Sequence, residues 1–251
     1  MRAHHSGLPA MLRLAIDAWP ALQAADIEGW LWRGSGGGSK RANSTATLAF
    51  GGADLDTAID AVERRYRALG QLVRFQVEEI GAPAELDERL TARGYAVEET
   101  TINMAKSLTP QAANSSGTGE GCSIDIEPAA DWLSVYLSAI TPDRRVINEK
   151  IVQAVPAPRA FFLYRQGGIP VSSGLCVAAG DVAIVECMAT APGVRRSGGA
   201  RRVLAAIDGW ARDQGAKTLF LQVVAINAPA VALYEQAGFI PVASTRYFSR
   251  A

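Results

Sequence analysis

Residues 194–202 read VRRSGGARR and lie between an apolar, strand-like run and an amphipathic, helix-like one. Gly198 and Gly199 carry no side chain at that turn, so the unpaired N–H groups of a helix start can approach a ligand closely. The donors stand at the positive end of the helix, beside Arg195, Arg196, Arg201 and Arg202, a setting that suits a pyrophosphate. A plain glycine-rich turn flanked by solvated arginines fits the same letters. No GK[ST] ending and no GxGxxG occurs, so the run is neither a Walker loop nor a dinucleotide fingerprint. Upstream, Glu186 is the only acidic residue in the apolar run 182–190. It shares strand parity with Met188 and Thr190, which predicts one common face for the three. Such a carboxylate can serve as a proton acceptor, or it can be merely solvated or hydrogen-bonded. Cys187 reads as a small buried hydrophobe rather than a nucleophile. His4 and His5 take no role.

These residues need elements to hold them. FFLYR (161–165), VSSGLCVAA (171–179) and VAIVECMAT (182–190) read as consecutive strands, with turns at Gly167-Gly168 and Gly180-Asp181. Val203, Ile207 and Trp210, with Leu204 and Ala211, space a helix from about Gly199 to Gly215. TLFLQV (218–223) follows as a strand, Pro229 to Ala237 as a short helix stopped by Gly238, and IPVASTRYF as a final strand. Ahead of the meander, IDIEP (124–128) predicts a strand and Asp131 to Ile140 a helix with Asp131 near its N-cap. The fold class is mixed α/β, an antiparallel meander followed by a β–α–β unit.

The chain is long enough for one large or two small domains, and 49% hydrophobic against 20% charged residues supplies a core. Twenty-five basic and 25 acidic residues give zero formal charge, which removes the broad drive towards nucleic acid or an anionic membrane. Cys122, Cys176 and Cys187 make an odd count with no CxxC, against a disulfide framework or zinc site and for a reducing compartment. No run approaches the ~20 apolar residues of a membrane span, and Arg13 and Asp17 interrupt the N-terminal apolar stretch, unlike a signal peptide. A cytoplasmic protein is expected, with no metal. SLTPQAANSSGTGEG, within 107–122, predicts a linker between residues 1–106 and 123–251. GSGGGS (34–39) predicts a hairpin with a mobile tip. QVEEIGAP (76–83) matches QVVAINAP (222–229) at five of eight positions, offset by 146. Helix patterns at 54–69 and 85–95 repeat the order seen around 200–214 and 231–239. Two copies of one fold, the first degenerate, account for this.

Arg195-Arg196-Ser197-Gly198-Gly199-Ala200 resembles the [RQ]-x-x-G-x-[GA] signature of the GNAT superfamily of acyl-CoA-dependent N-acyltransferases. Asn227-Ala228-Pro229-Ala230, then Leu233-Tyr234-Glu235 and Gly238-Phe239, resembles that superfamily's second signature. The resemblance covers roughly 123–251. It implies a backbone cradle at 196–200 for the pyrophosphate of acetyl-CoA, with Arg195 and Arg196 adding charge. It also implies that Met188, Ala189 and Thr190 run beside the pantetheine arm, that Asn227 bonds the arm, and that Tyr234 protonates the departing thiolate. Glu186 becomes the candidate base for the acceptor amine, through a water. In the first half Gly81 stands where the echo places Asn227, and Asp54 and Asp56 would repel a phosphate, so one site per chain is expected.

Direct acetyl transfer from acetyl-CoA to a small-molecule or peptide amine is the reading, with no nucleic-acid or membrane partner. A catalytically silent acyl-CoA-binding module and a GNAT-like interaction scaffold are its rivals, and the oligomeric state is open. Trp30, Trp32, Arg33, Lys40, Arg41 and Asn43 form the polar-aromatic cluster of the first half. Sheet packing with basic ends explains them, and an anionic or polar acceptor held between the halves is the sharper alternative.

Overall fold

A computed structural model of the chain describes residues 7–109 and 121–250; most of the expected linker, as well as His4 and His5, lies outside the described residues. Helix α1 (Leu8–Ala18) buries Leu8, Met11, Leu12, Ala15 and Ile16, an i, i+3, i+4, i+7, i+8 stripe, and turns the Arg13–Asp17 pair outward. The two charges that break the apolar run are simply its solvent face. Strands β1 (Gln23–Ile27) and β2 (Trp30–Gly34) join through Glu28 and Gly29, both at positive φ. Strand β3 (Thr45–Ala46), helix α2 (Leu55–Ala68), strand β4 (Val73–Glu78), helix α3 (Leu86–Ala92) and strand β5 (Ala96–Ser107) complete the first half. The second half runs β6 (Cys122–Asp125), α4 (Ala130–Ser138), α5 (Pro142–Ala154), β7 (Arg159–Gln166), β8 (Ile169–Ala179) and β9 (Val182–Thr190). It closes with α6 (Gly199–Asp213), β10 (Thr218–Val224), α7 (Ala228–Gln236) and β11 (Ile240–Arg250).

Asp131 stands in the first turn of α4, near the N-cap Ala129, which makes no side-chain bond, and it pairs with Arg165 at 2.9 Å. The mobile hairpin tip needs correction. The glycine run is folded around Asn43, whose Oδ1 accepts from the N–H of Ser35 at 2.8 Å and whose Nδ2 donates to the carbonyls of Gly37 and Ser39. It is docked as well, because Arg144 on α5 donates to the Gly38 carbonyl at 2.7 Å, so this is a held loop rather than a free tip. Helix α5 escaped the sequence reading, although Thr141-Pro142-Asp143 is a helix-start signal and Asn148, Ile151 and Val152 form its buried side.

The eleven strands form one mixed sheet in the order β1-β2-β3-β4-β11-β5-β10-β9-β8-β7-β6. The two copies repeat a parallel pair, β3 with β4 and β9 with β10, and of these strands β4 and β10 stand at the 146-residue offset of the echo. The copies then exchange partners. β5, the last strand of the first copy, pairs with β10 of the second, and β11, the last of the second, pairs with β4 of the first. β5 and β11 also pair with each other, fusing the copies into a continuous ladder. Helices α1, α4 and α5 share one apolar cluster, and α6 and α7 pack Val203, Leu204, Ile207, Ala211 and Tyr234 into a second. Trp30 and Trp32 pack against α2 and α3 in a third, the plainer of the two readings of those tryptophans. Among the described residues no helix is long and apolar enough to cross a membrane.

A buried polar chain crosses the seam. Arg33 donates to the Ser44 carbonyl and to Gln76, and Gln76 Nε2 donates to Glu78 Oε1 at 2.6 Å. Thr245 of β11 donates to Glu78 Oε2 at 2.5 Å. Asn103 of β5 donates to Thr245 at 2.8 Å and accepts from Gln222 of β10 at 2.7 Å. Each link satisfies a group that would otherwise be costly to bury. Burial pushes the Glu78 carboxyl above its ordinary value, against the opposing pull of Thr245, Gln76 and Arg33. An acid with a raised native pKa binds more protons folded than unfolded, so its contribution to stability declines as pH climbs through that window. Urea denaturation between pH 5 and 8 should therefore show a steeper loss of stability in the wild type than in Glu78→Gln. Equal slopes would remove Glu78 as the titrating group.

Candidate active site

Strands β9 and β10 run parallel only from Val182 to Val185 opposite Thr218 to Leu221, then part. Beyond that point β10 continues to Val224 and β9 to Thr190, so one edge of each is free to face a ligand. A β-bulge marks the parting: Cys187 and Met188 together oppose the single Gly174, and Cys187 has φ 52°. The extra residue flips the side-chain alternation. Glu186 and Cys187 fall on the α1/α4 face, while Met188 packs beside Gly174, Val203 and Ile207 on the α6 face. The single face expected for Glu186, Met188 and Thr190 is thus overturned, because simple parity holds only in a regular strand.

At the mouth of the parting lies a cavity of about 340 Å³, whose wall includes Glu186, Met188, Asn227 and Tyr234. Glu186 is 4% exposed and its two oxygens each accept from Arg41 at 2.5 Å. Arg41 comes from the first copy, delivered by the held glycine loop, and lies over the Trp19 ring at 5.5 Å. Burial acts to lower the Arg41 pKa, and the Glu186 carboxylate outweighs it, so the guanidinium stays charged. Burial, and then the charge of Glu186, raise the Tyr234 phenol, which stays protonated with its hydroxyl unbonded among the described residues. Burial likewise pushes the Cys187 thiol well above its ordinary value, with Tyr136 as its hydrogen-bond partner. A thiol so held is a poor nucleophile.

The α6 loop adjoins the end of β9. A Cβ on Gly199 would meet Ser172 Oγ at 2.4 Å, and Ser172 Oγ lies 2.9 Å from Thr190 Oγ1, so only glycine lets the helix start sit there. Gly198 is the N-cap, with φ 83° and no side-chain cap bond. Among the described residues, the N–H groups of Ser197, Gly198, Gly199 and Ala200 have no protein acceptor, and exposed Arg195 and Arg196 have no carboxylate partner. Arg201 is turned to Gln236, and Arg202 lies over Tyr164. Ala189 is nine-tenths buried between the cavity and the loop. Asn227 caps α7 through Oδ1, which accepts from Ala230, leaving its Nδ2 for a ligand.

The first copy has closed the matching features. Asp54 caps α2 by accepting from the Thr57 N–H at 2.8 Å and its hydroxyl at 2.7 Å, which also holds its pKa below the ordinary range. Gly81, the counterpart of Asn227, has φ 98°, a backbone conformation that side-chain-bearing residues rarely adopt, and a Cβ there would press on Leu48 at 2.9 Å. Several cavity residues lay outside the sequence reading: Trp19, Tyr136, Arg144, Asn148 and Tyr247. The helix-start signal before α5 would have pointed to two of them. Tyr247 gave none, because its placement depends on the exchanged strand.

A family model described as "Probable histone acetyltransferase Rv0428c C-terminal" matches residues 8–248. A Bacillus subtilis (strain 168) protein, the uncharacterized N-acetyltransferase YobR, is 28% identical over 242 residues, covering 94% of this chain and 95% of that protein. A GCN5-related N-acetyltransferase from Kribbella flavida has a similar structure, with a TM-score of 0.64 at 15% identity over 99% of this chain and 96% of the other. A tandem GNAT protein from the clavulanic acid biosynthesis pathway gives a TM-score of 0.58 at 11% identity, covering 82% and 74%.

The Arg41–Glu186 pair lends itself to a direct test. Arg41→Met leaves a buried carboxylate without its cation and should cost about 3 kcal/mol in urea denaturation. Adding Glu186→Gln should restore more than half of that loss. A double variant as unstable as the single one would show that the pair is not what holds the loop in place.

Proposed function

The chain belongs to the Rv0428c C-terminal acetyltransferase family, as a tandem GNAT acyltransferase with a degenerate first copy, and on that premise we propose that it transfers an acetyl group directly from acetyl-CoA to an amine. The observation that carries the donor assignment is the open start of α6, where four backbone amides and two unpaired arginines converge beside the parted strands. That set fits a diphosphate: the donors are free, the positive helix end faces them, and glycine keeps the approach clear. Residues 196–200 hold the pyrophosphate, with Arg195 and Arg196 adding charge. The free edge of Met188, Ala189 and Thr190 bonds the pantetheine arm, and Asn227 Nδ2 bonds it from the β10 side. We assign residues 123–251 to the catalytic copy and 1–106 to the degenerate one, joined through 107–122.

The acetyl donor supplies a thioester carbonyl, and the chain's own groups do the rest. Glu186, held by Arg41, accepts the ammonium proton through a water, since a protonated amine has no lone pair to attack with. Tyr234, kept protonated by burial, donates to the departing thiolate. Arg41 is a positioning residue, and no covalent enzyme intermediate is needed. A protonated hydroxyl in the cavity wall, with no hydrogen-bond partner among the described residues, favours this reading over a silent binding module. The odd cysteine count suits a reducing cytoplasm.

Isothermal calorimetry with acetyl-CoA and thiol release over an amine panel test the proposal. Tyr234→Phe should lower kcat about 100-fold while shifting the acetyl-CoA Kd less than about twofold. Undiminished turnover would remove the phenol from the mechanism. Gly198→Glu should abolish acetyl-CoA binding, whereas Gly198→Asn, which tolerates the left-handed conformation, should keep most of it. Retained affinity in Gly198→Glu would rule out the loop as the diphosphate site.

A further inference from the structure

Three cationic side chains line the cavity against two carboxylates. Lys40 is consumed by Glu98 and Glu99, at 3.1 and 3.0 Å, and Arg41 by Glu186. Arg144 bonds the Gly38 carbonyl through Nε and has no carboxylate partner among the described residues. One turn further along α5, on the same side of the helix, stands Asn148, 1% exposed, with Oδ1 buried and unbonded. Across the seam, Tyr247 of β11 is also 1% exposed, and its hydroxyl is buried without a partner. Burial keeps that phenol protonated and able to donate. Buried polar groups are rarely left unsatisfied, and an orphaned phenol donor in the same cavity wall as a guanidinium without a carboxylate points to an anionic ligand group, with the Asn148 oxygen left to accept an N–H.

Resting on the acetyltransferase reading, we propose that the acceptor is a small amino-carboxylate whose carboxylate is read by Arg144 and Tyr247 while its amine faces Glu186 and Tyr234. A cavity of about 340 Å³ suits a molecule of amino-acid size. A lysine side chain entering from a protein would bring no carboxylate to Arg144.

The test is acetyl-CoA-dependent thiol release from the full chain, with the twenty proteinogenic amino acids, each one's carboxamide, and a lysine peptide blocked at both ends. At least one amino acid should exceed its own amide by about 10–100-fold in kcat/KM, the worth of hydrogen bonds to a charged group. Arg144→Gln should bring that ratio near one, chiefly through KM, and Arg144→Lys should recover part of it. Tyr247→Phe should lower the ratio without lowering Tm, because its hydroxyl bonds nothing in the protein. The proposal is overturned if amides or the blocked peptide match the acids, if Arg144→Gln keeps the ratio, or if no amino acid is acetylated while calorimetry still shows acetyl-CoA bound. Loss of acetyl-CoA binding itself would bring down the acetyltransferase reading first, and this inference with it.

Discussion

The separation of β9 from β10 after four paired residues is the constraint on which the site depends. A parallel pair that ran its full length would close the free edges of Met188–Thr190 and of Gln222–Val224 against each other. The bulge at Cys187–Met188 prevents this by turning β9 away, at the cost of one non-glycine residue in the left-handed region. The same bulge sends Glu186 and Met188 to opposite faces, so one strand end serves both the cavity and the α6 side. Local irregularity, not the regular ladder, does the positioning.

The parting leaves a gap lined by buried charge, and the first copy fills it. Arg41 neutralises Glu186 and stacks on Trp19, and its position depends on the loop that Asn43 and Arg144 hold. A buried ion pair of this kind adds little net stability over an apolar pair, while losing one partner is expensive. Its value here is placement: the carboxylate keeps one orientation. The first copy caps its own helix start with Asp54, yet supplies Arg41 to the cavity beside β9 and β10.

The amino-acid sequence discloses what is encoded locally. The meander, α6, β10 and α7 follow from period and punctuation, and the glycine loop and Asn227-to-Phe239 motif lie where their spacing puts them. The 146-residue echo points to two copies of one fold, and β4 and β10 stand at that offset. What the letters do not disclose is non-local. Arg41 meets Glu186 across 145 positions, Tyr247 enters the cavity only because β11 leaves its own copy, and the bulge breaks a parity that letters cannot register. Helices α1 and α5 were legible in principle, since both carry Pro in the first turn and α1 adds an apolar stripe.

The exchange of last strands also sets a timetable for the chain during synthesis. Phe75 of β4 finds its neighbour Phe248 only after roughly 170 further residues have been made. The early half cannot complete its hydrogen-bonding edge while the ribosome is still building the later one, and β4 waits as an open template for whatever strand it meets. Domain-by-domain maturation, the usual course for chains of this size, is closed to this architecture. The two copies must mature together.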